Sequence, residues 1–183
     1  TNPEGKKNRE DTSEHFQELV NSFFCGVLLY GLHSGIATTC ADVNDLVTRT
    51  HWPDLIAVLR AFDHPEVQRA AEVVSRIADR ELSGVQTTAA RALQIFSDPR
   101  VARMTSQPTF QLTDLREGTA PCTVYYSVPF GDMERLRPLS RLILRQVLGH
   151  GTSRLTGWKY RLLVAVDELP RLARLAILSD ALN

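Results

Sequence analysis

Two acids, Asp167 and Glu168, stand side by side directly after the apolar run RLLVAV of residues 161–166. A carboxylate pair in that place suits divalent-cation and water chemistry. The first carboxylate can hold Mg²⁺ through the ion's water shell, because Mg²⁺ dehydrates reluctantly. The second can orient or deprotonate a water that attacks a phosphoryl group. The competing reading is an N-terminal helix cap, since carboxylates complement that end of the helix dipole. Arginines offer a different chemistry. Arg137, Arg141 and Arg145 recur at successive fours, one row of a helix, and can meet DNA phosphate, a nucleotide or an acidic neighbouring subunit. A solvated row with its stems on apolar surface is the ordinary alternative.

Other reactive side chains form no recognisable constellation. The five histidines show neither i,i+4 pairing nor HExxH and read as structural or exposed. Cys25, Cys40 and Cys122 lie far apart and outside any CxxC or CxH pattern, which argues against a disulfide framework or a zinc site. Cys25 and Cys40 read as small core residues, a usage typical of reducing compartments. Trp52, before Pro53, reads as a packing staple. Trp158 is a turn residue with base stacking as its functional alternative. Arg154 and Lys159 flank a Gly-rich loop, with Gly149, Gly151 and Gly157, and extend the basic patch, while Arg171 and Arg174 follow the acids and read as surface or subunit-interface residues.

The acids need a rigid element behind them. The continuous apolar character of 161–166 predicts a buried strand, and CTVYYSV (122–128), β-branched and aromatic, predicts another. Between them MERLRPLSRLILRQVLG predicts a helix capped by Asp132, with Pro138 as a kink or as the true first turn. Strand, helix and strand at this spacing make a right-handed βαβ unit with parallel strands. Ligands of such sheets bind beyond the carboxyl ends of the strands, where the two acids fall. An apolar strand running into Asp-Glu is the Walker B pattern of P-loop NTPases. Its companion loop, GxxxxGK[ST], does not occur: GKK at residues 5–7 lacks the hydroxyl residue, and GHGTS at 149–153 lacks lysine. Walker B without that loop predicts no nucleotide hydrolysis by these residues alone.

Upstream, the pattern is helical. TNPEGKKNRE (1–10) reads as a polar entry loop, and Asp11 with Glu14 as a capping-box-like start. Phe16, Leu19, Val20, Phe23, Phe24, Val27 and Leu28 then repeat at three and four until the helix ends near Gly35. ADVNDLVTR follows with Thr39 as its cap, then WPDLIAVLRAF opened by Pro53 and HPEVQRAAEVVSRIADREL opened by Pro65. Gly84 reads as a break before VQTTAARALQIF, and DPRVARMTS closes the series. The fold class is therefore mainly α: a helical-bundle domain over residues 11–107, followed over 108–183 by a partial α/β segment whose last stretch, from Leu169, begins another helix.

Composition limits the classes. The chain has 183 residues, 43% of them hydrophobic, and a formal net charge of zero. Residues 1–115 carry 11 basic and 15 acidic side chains and residues 116–183 carry 10 and 6, so the halves differ by sign. That suits an anionic partner for the second part, docking of one half on the other, or a plain solvated surface. Leu19–Ala41 holds no formal charge, but its continuous apolar part falls short of the roughly 20 residues that span hydrocarbon. The start at Thr1, without a signal peptide, suggests a piece of something longer.

Three stretches in order resemble one family, the TraG/TraD-type coupling ATPases of conjugation and type IV secretion. TVYYSVPFGDMERLRPLSRLILRQVL resembles the strand and helix before their Walker B, and YRLLVAVDELPRLARLAIL resembles the Walker B strand with its DE-x-x-x-L continuation. SGVQTTAARALQIFSDPRVARMTSQPTFQLTDLREG resembles the end of their inserted helical domain, and HFQELVNSFFCGVLLYGL matches their first helical segment more loosely. The resemblance implies a discontinuous RecA-like nucleotide-binding domain, with its phosphate loop upstream of an inserted all-α domain and Walker B downstream. It implies Asp167 as the Mg²⁺ ligand and Glu168 as the catalytic carboxylate, with ATP and Mg²⁺ as cofactors of the complete protein and none expected on this piece. It further implies a hexameric ATPase at the cytoplasmic face of a bacterial inner membrane, which passes relaxase–DNA or effector proteins to secretion-channel components and contacts substrate through the all-α domain. The phosphate-loop residues, the sensor glutamine beyond Walker B and the membrane anchor of that family have no counterpart in these 183 residues. From the residues alone, a helical adaptor with a capping Asp-Glu and a nucleic-acid-binding domain using the arginine row remain the other readings.

Overall fold

Glu, Lys and Arg are good helix formers, and a proline suits the first helical position, so PEGKKNRE is able to continue a helix rather than lead into one. In the computed structural model it does. Helix α1 runs from Pro3 to Ser34, and residues 3–10, expected as a loop, are its first turns. The structure describes the backbone of residues 3–167 apart from residue 155, and the side chains from Phe16 onward with the same exception. The chain divides into two compact units, Thr1–Gln107 and Pro108–Asn183.

In the first unit α1 is followed by α2 (Cys40–Arg49), α3 (Trp52–Ala61), α4 (Pro65–Ser75), α5 (Asp79–Leu93), a 3₁₀ turn at Gln94–Ser97 and α6 (Pro99–Met104). The apolar stripe of α1 supplies the core: Leu19, Val20, Phe23, Val27 and Tyr30 are buried. Phe23 stacks on Trp52 at 4.3 Å, and the Trp52 Nε1–H donates to the Val47 carbonyl at 2.9 Å. That bond satisfies the polar edge of a buried indole. The main helix crossing sets α1 against α4, where small residues let the backbones approach: a methyl on Gly26 would collide with the Ala70 methyl. Gly35, at φ +73°, ends α1 in the left-handed conformation common just past a helix.

Two expectations in this unit change. The run 64–82 is not one helix, because α4 stops at Ser75 and α5 starts at Asp79. Gly84 lies inside α5 instead of breaking it. A Cβ there would stand 3.2 Å from the Phe16 ring, so the glycine permits close approach of α1. Cys25 is exposed and Cys40 half-buried, so neither is a core residue; the position of Cys25 points away from the stripe that buries Phe23 and Val27.

The second unit holds the short helix α7 (Asp114–Glu117), a 3₁₀ turn at Phe130–Asp132 and α8 (Met133–Thr152), which runs through Pro138 without ending. The expected strands 122–128 and 161–166 form no ladder, and no strand occurs among the described residues. A β-strand is defined by its partner as much as by its residues, and these two segments exchange no backbone hydrogen bonds. The parallel βαβ unit is therefore not formed here. The helix expected from Leu169 lies outside the described residues.

Candidate functional site

The run to Asp167 alternates only as far as Val164, and Ala165, Val166 and Asp167 are all exposed. Leu162 and Val164 are half-buried, whereas Arg161, Leu163 and Ala165 are exposed. The inward face packs on α8, since a Cβ on Gly151 would fall 2.7 Å from Leu162 Cδ2. Asp167 sits exposed at the end of this run, in a bend. Glu168 lies outside the described residues. The other extended segment also rests on α8: the Tyr126 hydroxyl pairs with that of Ser140 at 2.9 Å, and Ser140 also donates to the Leu136 carbonyl.

Behind the run stands a cluster that sequence reasoning did not assemble. Arg116 of α7 bonds Tyr160 twice: the Tyr160 N–H donates to the Arg116 carbonyl at 3.0 Å, and Arg116 Nε–H donates to the Tyr160 carbonyl at 3.3 Å. Its Nη1 donates to the Gly151 carbonyl at the end of α8. The Arg116 and Arg154 guanidiniums lie 4.3 and 3.9 Å from the Trp158 ring centroid. Glu117 pairs with Arg154, and the Trp158 Nε1–H donates to the Arg154 carbonyl. Lys159 Nζ donates to the carbonyls of Gly118 and Thr119. Trp158 is thus engaged within its own unit rather than offered for base stacking, and Arg154 and Lys159 are tied to α7 and its exit. The only hint of Arg116 in the sequence was the LR-x-G spacing of DLREG.

The three arginines of α8 keep their spacing but do not share one solvent face. Arg137 is half-buried and pairs with Glu134, with its Nε buried and lacking a hydrogen-bond partner. Arg141 is half-buried and Arg145 exposed. No group of three or more metal-ligating side chains occurs among the described residues, and no described helix is long and apolar enough to cross a membrane.

These elements, helices first and an apolar run into paired acids afterwards, match one family across almost the whole chain. Residues 6–183 fit the family model described as type IV secretory system conjugative DNA transfer, and the chain belongs to that family. Its relatives include two Escherichia coli proteins called conjugal transfer protein TraG, 26% and 25% identical over 200 residues, a span that takes in 98% of this chain. The chain covers 31% of the length of each. No solved structure matches it.

Proposed function

We propose that the chain is the part of a conjugative coupling ATPase that joins its substrate-contacting helical unit to its Walker B segment. Family membership in conjugative DNA transfer supports the process. The exposed carboxylate of Asp167, at the end of an apolar extended run packed on α8, is the single observation that supports the chemistry. One exposed carboxylate at the end of such a run fits Mg²⁺, which keeps most of its waters and needs few protein ligands. Asp167 would hold it through water, and Glu168, next in the chain, would orient or deprotonate the attacking water. Bound there, the ion supplies charge neutralisation for the phosphates of ATP.

On this reading ATP is gripped by a phosphate loop elsewhere in the complete, hexameric protein at the inner membrane, and residues 1–183 alone turn over no nucleotide. The first unit takes the relaxase, DNA or effector cargo and hands it toward the secretion channel. The test is steady-state ATP hydrolysis by the complete protein, with Glu168→Gln as the variant. Turnover should fall on the order of 100-fold or more while nucleotide still binds. Hydrolysis by residues 1–183 alone, or a Glu168→Gln protein as fast as the parent, would refute the assignment.

A further inference from the structure

We infer that Arg116 is a positioning residue that sets the register of the run carrying Asp167; the inference rests on the nucleotide reading above. Tyr160 is the last residue before that run, and both of its backbone hydrogen-bonding groups go to Arg116. The same guanidinium donates to Gly151 at the end of α8 and lies 4.3 Å from the Trp158 ring centroid. One half-buried side chain therefore ties together the end of α8, the Trp158 turn and the origin of the run.

Register is what such a tie controls. Side chains of an extended chain alternate faces, so a slip of one residue turns every following side chain to the opposite face. Here Leu162 and Val164 face inward and Leu163 outward, with Leu162 against Gly151. Fixing Tyr160 fixes the parity of Leu162 and Val164, and so where the run delivers Asp167. The seven steps from Tyr160 to Asp167 reach at most roughly 23 Å in a fully extended chain. Arg116 thus acts through the run and touches no nucleotide. The chemistry calls for arginine: a planar fork reaches two carbonyls and stacks on an indole at once, which a lysine ammonium does not do. Lys159 and Glu117 reinforce the tie, the first through the carbonyls after α7 and the second by holding Arg154 at Trp158.

The experiment is ATP hydrolysis by the complete protein carrying Arg116→Gln, Arg116→Lys, Asp167→Asn and the pairs with Asp167→Asn. Both Arg116 variants should lower kcat on the order of 10- to 100-fold, with KM for ATP within about 2-fold of the parent. Asp167→Asn should abolish most turnover, and adding an Arg116 change to it should cost little more, because the two lie on one route. In a Trp52→Phe background, Trp158 is the remaining tryptophan of these residues, and its emission should shift in Arg116→Lys as the stacked guanidinium is lost. The inference is overturned by unchanged kcat in a folded Arg116→Lys protein. It is equally overturned by full additivity with Asp167→Asn, or by activity loss that merely follows a reduced folded fraction. If Asp167→Asn itself leaves turnover intact, the nucleotide reading fails first and takes the inference with it.

Discussion

The two units of this chain bury their apolar residues very differently. Every buried hydrophobic residue among those described lies between Leu19 and Val101, inside the first unit. In the second unit the one buried residue described is Ser140, while Tyr125 is 90% and Leu163 89% exposed. Both units contain amphipathic or apolar segments, so composition is not the cause. Helices close their backbone hydrogen bonds within themselves and need only side-chain neighbours, which α1 to α6 supply to each other. Extended segments need a neighbour for backbone and side chains alike, and among the described residues 122–128 meets α7 through Cys122 and α8 through Tyr126, while 161–166 meets α8 through Leu162. On the proposed reading, the neighbours of these segments belong to the remainder of a protein of which this chain spans 31% of the length of its relatives.

The strongest way to break this contrast is to cut into each unit and compare. Phe23, 0% exposed, should cost about 3–5 kcal/mol when truncated to alanine. Tyr125→Ala should cost less than about 0.5 kcal/mol in the 183-residue chain. Urea unfolding separates the two because each unit has its own tryptophan, Trp52 in the first and Trp158 in the second. Single-tryptophan versions should show a steep transition at Trp52 and an earlier, shallower one at Trp158. Coincident steep transitions at both would show that the second unit has a cooperative core after all. Next in size is Gly26→Val, which drives branched methyls into Ala70 at the α1–α4 crossing and should cost roughly 2–3 kcal/mol, read from the Trp52 transition.

How much of this was legible in the sequence follows the same division. The α1 stripe from Phe16 to Leu28, the Thr39 cap and the prolines opening α3 and α4 were readable because they are local signals. Boundaries were less so. The start of α1 at Pro3 is hidden because charged helix formers resemble a polar loop, and Gly84 resembles a break because its role is set by Phe16, 68 positions away in the chain. β-branched residues at 122–128 and 161–166 signal strands, and no strand forms among the described residues. They are silent on whether a partner strand is present. Asp167 stood out through its context, whereas Arg116 did not: its partners, Gly151 and Tyr160, lie 35 and 44 residues away.

The finest probe of the first unit is the capping box at the start of α2. Thr39 Oγ1 accepts from the Asp42 N–H at 3.2 Å, and Asp42 Oδ2 accepts from the Thr39 N–H at 2.9 Å, so two orphan donors at the start of α2 are satisfied. Thr39→Ala should cost about 1 kcal/mol in the Trp52 transition. Hydrogen bonding by the Thr39 side chain, then by its backbone N–H, lowers the Asp42 carboxyl below its ordinary value. A depressed carboxyl stabilises the fold above its unfolded value, near pH 4 for aspartate, and loses that contribution as pH falls through the lower folded value. The stability gap between the parent chain and Asp42→Asn should therefore be constant near neutrality and close on the acid side of about pH 4. Because the box lies wholly in the first unit, the Trp158 transition should not register the change at any pH. A parallel shift at Trp158 would mean that the units unfold together, and the contrast between a self-sufficient bundle and a partly clothed second unit would fail.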